Sequence, residues 1–444
     1  MRGGNRQVAL IALDTLALAF LLALWLRSSW SGAGITLDRL SLRAVLIAFV
    51  LLSPAWLALV YLVPVPAGFW SGMPGREVYL PLLQAAGISP GARLPLSLVP
   101  DATRVSLLAG IPLVAAFLAG FGARLPQLRL VLGVVAAMAF AQILMGLLQV
   151  GGGQASHLYF GGDGGRPFGT FANANHFGNY IAMALAAYVW LAWSSITHGG
   201  MRRSRHAAGA SAFPPLPTLW MAGGLLLVLG ILLSRSRGAM LTGLPIGLLA
   251  LAIALSAGER SAGPRFTLLV IGGLVAAALT LAGLGSVFAR FDLARLSDSA
   301  AFRSLLATST LEGAAAFWPW GAGWGTYGPV FPRFQPPAVD GYADHAHHDF
   351  AQMLFEGGVF ALLLGAVCLW LAGARAAALA RAFIRHRALR REEMASALCG
   401  LGLLGLLLHS LVEFNLHIPA NAILGALLAG VYLRPLDAVE ARRD

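Results

Sequence analysis

The chain contains no lysine, so all 31 of its basic residues are arginines. Charge of either sign is scarce, at 11% of 444 residues, whereas a soluble chain carries about 25%. Hydrophobic residues make up 58% of the chain, and the mean hydropathy is +0.75. So few polar groups cannot cover a water-facing surface, which excludes a soluble globular domain and predicts a membrane protein.

Cysteine and nucleotide-binding motifs are also scarce. Cys368 and Cys399 both lie inside apolar runs, which argues against a disulfide framework and a cysteine metal site. The chain also has no Gly-Lys phosphate-binding motif. A net charge of +12 can indicate a nucleic-acid partner, but the arginines lie mostly in short loops between apolar runs. Membrane topology explains that pattern better, and we expect no nucleic-acid partner.

Eleven apolar runs are long enough to cross a hydrocarbon core of about 30 Å. They predict an all-α, polytopic transmembrane helix bundle of about 11–12 spans, forming a single membrane domain over residues 1–444. The runs begin near Val8, Ala44, Val105, Leu130, Asn175, Leu219, Met240, Phe266, Ala351, Ala395 and Ile418.

The arginine-bearing loops predict the orientation, because cytoplasmic loops are enriched in basic residues. The loops predicted to be cytoplasmic are 124–129, 202–205, 259–265, 375–391 and the tail from 434. Alternation then places on the external face the segments 65–104, 151–174, 234–238, 287–350 and 413–419. This count leaves Arg2 and Arg6 outside, so it predicts a missed or re-entrant span near the N-terminus.

The external segment 287–350 is the longest segment without a span, and long loops of this kind are usually functional or disordered. It joins an amphipathic stretch, 291–317, to a stretch rich in aromatic residues, glycine and proline. We expect a large, partly helical loop that folds as a lid over the membrane surface.

Segment 166–179 places an arginine just outside a span and asparagines at the start of that span. Asn173 and Asn175 can cap the helix, or they can contact a substrate. Arg166 adds a cation to the positive end of a helix dipole, an arrangement that suits a phosphate.

Segment 234–238 interrupts two apolar runs with Arg235 and Arg237 on the external side. One or both side chains can extend to lipid headgroups. Alternatively they form a second arm of a diphosphate clamp, since guanidinium makes bidentate bonds to phosphate oxygens.

Segment 344–358 brings His345, His347 and His348 next to Asp349. These residue types suggest a metal site, but adjacent histidines point in different directions on a regular backbone. A histidine with a pKa near ~6.5 is better suited as a general base. A third interpretation is a set of polar groups at a loop–helix junction.

Segment 409–421 places polar groups, including Glu413, between two C-terminal apolar runs. Polar residues at membrane depth face a bundle interior or a cavity. They can join helices or contact a substrate.

Together these segments resemble the O-antigen ligase and polymerase superfamily, membrane glycosyltransferases that take glycans from undecaprenyl diphosphate. The resemblance covers about residues 130–370. It is carried by Arg166-x-x-Gly169-Thr-Phe171-x-Asn173-x-Asn175, Ser236-Arg237-Gly238, Gly321-x-Gly323-x-Gly325 and His347-x-Asp349-Phe350-x-Gln352-x-x-x-Glu356-x-Gly358. Family members often have Asn-Pro-Asn at 173–175 and His-Asn at 347–348. The second departure leaves open which of His345, His347 and His348 is catalytic, and alignment through Asp349 and Gln352 favours His347.

The resemblance implies a metal-independent, inverting transfer from undecaprenyl diphosphate to an acceptor hydroxyl at the periplasmic face of the bacterial inner membrane, without a cofactor. It implies that His347 is the base and that Arg166 and Arg237, helped by Arg235 and Arg303, bind the diphosphate. The remaining residues that it marks as supporting the site are Asn173, Asn175, His345, His348, Asp349 and Gln352. Membrane lipids are the expected surroundings.

The acceptor is open between lipid A-core, a second lipid-linked glycan and a protein hydroxyl, corresponding to a ligase, a polymerase and a protein O-oligosaccharyltransferase. We favour the ligase. A flippase for the same lipid-linked glycans is the alternative from another class. A transporter would be expected to show related halves and charges near the bilayer midplane, whereas the charges here cluster at one face.

Overall fold

A computed structural model describes residues 6–30, 41–89, 91–153, 157–159, 165–203, 216–256, 293–339 and 341–436. These residues are almost wholly helical. The helices are α1 (Gln7–Trp30), α2 (Leu42–Leu51), α3 (Ser53–Leu62), α4 (Ala67–Ser71), α5 (Leu80–Ala85), α6 (Pro100–Ala109), α7 (Ile111–Gly122), α8 (Leu125–Gly152), α9 (Ala174–Arg203), α10 (Leu216–Leu233), α11 (Arg237–Ser256), α12 (Leu293–Ala316), α13 (Tyr327–Val330), α14 (Asp349–His386), α15 (Arg391–His409) and α16 (Pro419–Leu433). Short 3-10 turns occupy Glu77–Tyr79, Phe331–Arg333 and Asn415–His417, and β1 (Pro64–Pro66) pairs antiparallel with β2 (Arg93–Pro95).

Within the described ranges, seven helical segments are long and apolar enough to cross a membrane. The pair α2 and α3, bent by 63°, makes an eighth if it counts as one span. The chain is therefore a multi-pass membrane protein with an all-α bundle, as the composition predicts. The predicted span near Phe266 lies outside the described residues.

Two predicted spans are shorter than a full crossing. Helix α16 has 15 residues, or about 22 Å at about 1.5 Å per residue, and the apolar part of α10 is similarly short. Helix α10 is followed by the polar segment 234–238, and α16 is preceded by the polar segment 409–417. Non-helical backbone within a membrane bundle is tolerated where it lines a cavity, and these segments do so.

Proline and glycine set the boundaries and crossings of the helices. Proline stands in the first turn of α3, α5, α6, α7, α8 and α16, where the missing N–H leaves no bond unmade. Helices α7 and α16 cross through Gly120 and Gly430, where an added Cβ would lie 2.3 Å from Leu427 O and 2.1 Å from Phe117 O. Small residues thus allow the backbones to approach closely.

The bundle has two ends. We call the end that carries Arg166, Arg235 and Glu413 the site end, and the other the opposite end. Arg43 donates to Leu433 O at the opposite end over 2.8 Å, while Tyr61 donates to Trp320 O at the site end over 2.6 Å. The pair α2 and α3 therefore runs from one end to the other and is not re-entrant.

The described parts of the two long segments at the site end pack together as one cap. Leu98 N donates to Ala322 O at 2.9 Å, and Thr103 Oγ1 donates to Trp324 O at 2.8 Å. Helix α12 forms much of segment 287–350, which is the large helical loop that the sequence predicts. Residues 287–292 of that loop lie outside the described residues.

Four aromatic residues of this cap pack inside it around Phe355. Tyr327 and Phe331 are buried and stacked at 4.6 Å, and Phe317 and Phe334 pack with them around Phe355. Burying these rings supplies the hydrophobic core of the cap itself. They are therefore unavailable for stacking on a ligand.

The glycine motif at 321–325 fastens the cap to α14. The carboxylate of Glu356 accepts hydrogen bonds from Gly325 N at 2.9 Å and Tyr327 N at 3.0 Å. Helix α14 breaks at Gly358 (φ +49°), where a Cβ would lie 2.2 Å from Pro319 O. The motif is thus a structural joint that fixes the start of α14, on which the histidines depend.

Candidate functional site

A cavity of about 270 Å³ opens at the site end. We call it the arginine cavity. Four arginines line it, with one carboxylate among the described residues, so it suits an anion that accepts several hydrogen bonds. The lining residues are Arg166, Asn173, Asn175, Arg235, Ser236, Arg237, Gly238, Arg303, His347, His409 and Glu413.

The wall that carries Arg166 is held by two buried glutamines of α8. Gln149 Oε1 accepts from Phe168 N at 3.1 Å and from Gly169 N at 3.0 Å. Gln142 Oε1 accepts from Thr170 N at 2.8 Å. At Gly169 (φ +57°) a Cβ would lie 2.2 Å from Gln142 Oε1, so only glycine fits. Helix α8 thereby fixes the segment that follows Arg166, although no sequence pattern marked its glutamines.

Arg166 is itself buried, with 8% of its surface exposed. Its Nε and Nη2 donate to Ser234 O at 3.1 and 3.0 Å, and Nη2 also donates to Asn175 Oδ1 at 3.0 Å. The side chain therefore joins the turn between α10 and α11 to the start of α9. Because the turn also carries Arg235 and Arg237, one arginine helps to position the other two.

Arg235 and Arg237 line the cavity, so the structure directs them to this site and not to lipid headgroups. Arg235 (φ +49°) and His347 (φ +50°) are two of the three described non-glycine residues in the left-handed region. Such conformations are costly and concentrate at functional sites, where surrounding structure maintains them. Both strained residues face the same cavity.

The two asparagines of the first motif have separate roles. Asn173 caps α9, since its Oδ1 accepts from Asn175 N at 2.8 Å. The side chain of Asn175 donates to Glu413 Oε1 at 2.7 Å and accepts from Arg166. The capping interpretation therefore applies to Asn173, whereas Asn175 joins Arg166 to Glu413 at the wall of the cavity.

Glu413 was not among the predicted site residues, yet it lies at the centre of the site with 1% of its surface exposed. Arg303 donates to its Oε1 at 2.6 Å, and His347 Nδ1 lies 3.3 Å from its Oε2. Burial alone would raise the pKa of Glu413, but His347, His176 and Arg303 hold that pKa below its ordinary value. The carboxylate is thus ionised, and the sequence signal for it is a lone acid between apolar runs.

The three neighbouring histidines point to three different places. His347 lines the arginine cavity, whereas His348 Nδ1 accepts from Ala351 N at 3.2 Å and caps α14. His345 stacks on Phe414 at 4.4 Å and lines a second cavity. Burial, reinforced by the neighbouring His417, lowers the pKa of His345 to about 3.

Asp349 and Gln352 are buried behind the cavity and do not line it. Asp349 Oδ1 lies 2.6 Å from His417 Nδ1, and its Oδ2 accepts from Leu416 N at 2.9 Å. Gln352 Oε1 accepts from Ala346 N at 3.1 Å, beside His347. These two side chains therefore hold the segments that carry Glu413 and His347.

The second cavity, of about 300 Å³, adjoins the first and shares Asn173 with it. Arg6 lines it, which places this arginine at the site end, where the count of spans also puts it. The remaining residues of its lining are Phe171, Ala172, Asn173, His176, Asp344, His345, Phe414 and Ile418.

A family model described as O-antigen ligase matches residues 222–366, about a third of the chain. The matched part contains Arg235, Arg237, Arg303 and His347, whereas Arg166 and Glu413 lie outside it. No curated protein and no solved structure matches the chain.

Proposed function

We propose that the chain is an O-antigen ligase. The family match supports its membership of the O-antigen ligase and polymerase superfamily. The protein transfers a glycan from undecaprenyl diphosphate to a hydroxyl of lipid A-core. The arginine cavity faces the periplasm in the bacterial inner membrane, because the described segments 124–129 and 375–391 at the opposite end are rich in arginine, as cytoplasmic loops are. Because the matching family is that of O-antigen ligases, we favour the ligase over a polymerase.

The observation that carries this proposal is the convergence of four arginines and His347 on a single cavity. A lipid diphosphate has several anionic oxygens, and fixed guanidinium groups bind such oxygens without deprotonating. As the bond between the anomeric carbon and the diphosphate oxygen breaks, the electron pair leaves with the diphosphate. The arginines stabilise the charge that grows on it.

His347 is positioned to accept the proton of the incoming hydroxyl. The acceptor oxygen attacks the anomeric carbon from the face opposite the diphosphate, which inverts its configuration, and its proton passes to His347. If Nδ1–H faces Glu413 Oε2 at 3.3 Å, Nε2 keeps the lone pair that a base needs. The ionised carboxylate then stabilises the imidazolium that forms.

The position of the charged groups favours an enzyme over a flippase. The arginine cavity lies at one end of the bundle, where α9 and α11 begin and α10 ends. A transporter of the alternating-access type places its site near the bilayer midplane, between related halves. An interfacial site needs only to receive a headgroup while the lipid tail stays in the membrane.

The test is transfer by the purified protein in nanodiscs, given an undecaprenyl diphosphate glycan and lipid A-core. His347→Ala should lower the rate by about 10²–10⁴-fold, the usual contribution of a general base. His348→Ser is the matched control, because serine can also cap α14. It should retain transfer.

Each outcome separates the candidates. Longer lipid-linked glycans without product on lipid A-core would identify a polymerase. Equal transfer by wild type and His347→Ala would refute the histidine assignment. No transfer by wild type, together with movement of the donor across a vesicle membrane, would support the flippase.

A further inference from the structure

One residue of the second cavity's lining, His176, has a buried ring nitrogen that no described residue satisfies. His176 is 2% exposed, and its Nδ1 lies 3.0 Å from Asn415 Oδ1, so the ring donates there. Its Nε2 is buried without a hydrogen-bond partner among the described residues. A buried acceptor of this kind costs free energy unless a ligand or water donates to it.

The chemistry of this lining differs from that of the arginine cavity. It has one cation, Arg6, and one carboxylate, Asp344, so its two ionic groups carry charges of opposite sign. His345 is neutral at physiological pH, since its pKa is lowered to about 3 by burial. The aromatic rings of Phe171 and Phe414 supply apolar faces. A lining with charges of opposite sign, neutral polar groups and aromatic faces suits a hydroxylated sugar ring better than a multiply charged anion.

The two cavities are separated by little more than one phenyl ring. Phe414 contacts His345 of the second cavity at 4.4 Å and His347 of the arginine cavity at 4.8 Å. Asn173 lines both cavities. The second cavity therefore lies beside the part of the arginine cavity that His347 lines, and Asn173 marks the junction that an acceptor hydroxyl must cross to come within about 3–3.5 Å of the reacting atoms.

We propose that the second cavity is the acceptor subsite and that it binds a neutral sugar ring of the glycosyl acceptor. This inference rests on the proposed function, in which the arginine cavity receives the donor diphosphate. The volume of about 300 Å³ is at the lower limit for small-molecule pockets, which fits one ring and not an oligosaccharide. The rest of the acceptor remains outside.

The experiment places larger side chains at Ala172, an exposed residue of the second cavity's lining, so that they occupy the space proposed for the sugar ring. A larger side chain at this exposed position can enter the space without disturbing the helix core. We compare wild type with Ala172→Leu and Ala172→Phe in nanodiscs, varying lipid A-core at fixed donor and then donor at fixed lipid A-core. Ala86→Phe, exposed in the external segment away from both cavities, is the matched control. Thermal unfolding verifies that each variant is folded.

The expected result is a graded increase in KM for the acceptor. Ala172→Phe should raise it by at least about tenfold, equivalent to about 1.4 kcal/mol of binding, and Ala172→Leu by less. KM for the donor should stay unchanged in both, and Ala86→Phe should match wild type throughout.

Three outcomes would overturn the assignment. An unchanged acceptor KM in a folded Ala172→Phe protein would refute the subsite while leaving the glycosyltransferase intact. Equal increases in both KM values would make the second cavity part of the donor site. No transfer by wild type to lipid A-core or to a second lipid-linked glycan would refute the proposed function, and the acceptor subsite with it.

Discussion

Replacing Glu413 by glutamine removes one charge from the centre of the site and keeps its shape. The carboxylate receives Arg303 at 2.6 Å and Asn175 at 2.7 Å on Oε1, and His347 lies 3.3 Å from Oε2. Glutamine can keep an acceptor oxygen towards Arg303 and Asn175. Its amide nitrogen then faces His347 as a donor. His347 Nδ1 would have to accept, which moves the ring proton to Nε2 and abolishes the base.

The size of the effect follows from these contacts. A hydrogen bond to a charged group contributes about 1.5–3 kcal/mol and a neutral one about 0.5–1.5 kcal/mol. Only the bond from Asn175 becomes neutral, because Arg303 keeps its charge, so the free energy of unfolding should fall by at least about 1 kcal/mol. For transfer, loss of the correct histidine tautomer should reduce kcat by about 10²–10³-fold, within the range of general-base catalysis. KM for the donor should change little, because the arginines remain.

The assay is steady-state transfer in nanodiscs at saturating donor and acceptor, with thermal unfolding measured on the same samples. Glu312→Gln is the matched control, since this acid is exposed on α12 at the site end. The control should retain wild-type kcat and stability. A Glu413→Gln protein that is folded and keeps kcat within about twofold of wild type would refute the role of Glu413 in positioning the His347 proton.

Three further predictions concern pH, capping and the helix break. Burial alone would raise the pKa of Glu413, but its neighbours hold that pKa below its ordinary value. The charge of Glu413 therefore stabilises the fold above about pH 4.3, and this stabilisation is lost as pH falls. The difference in unfolding temperature between wild type and Glu413→Gln should therefore be constant from about pH 8 to 6 and shrink below about pH 4; a difference that grows on acidification would contradict this. His348→Ala should lower stability by about 1 kcal/mol through loss of the α14 cap and leave transfer active, whereas abolished transfer would make His348 the base. Gly358→Ala should destabilise by at least about 1–3 kcal/mol, because its Cβ would meet Pro319 O, while Gly365→Ala, with open space around it, should not destabilise. Equal unfolding temperatures for the two glycine variants would refute the claim that the close contact at Gly358 fixes the cap to α14.

The amino-acid sequence by itself determined that the protein crosses a membrane many times, because apolar runs of sufficient length have few other stable states. It also marked the segments that line the arginine cavity. Arg166, Arg235, Arg237, Arg303 and His347, which were predicted separately, all line the arginine cavity. The signal for Arg235 and Arg237 was charge between two apolar runs, which is costly without a function. Arg166 and His347 were marked by their places beside a predicted span, and Arg303 by the family resemblance.

Only the tertiary structure decided how adjacent residues divide their roles. His345, His347 and His348 are close in sequence, yet one lines the second cavity, one the arginine cavity, and one caps α14. Likewise Glu413 becomes the partner of Arg303, 110 residues away in the chain. Local patterns report periodicity and helix ends, whereas the direction of a side chain in a loop depends on contacts with distant helices. Those contacts form only when α9, α11, α14 and the segment after α15 meet at the site end.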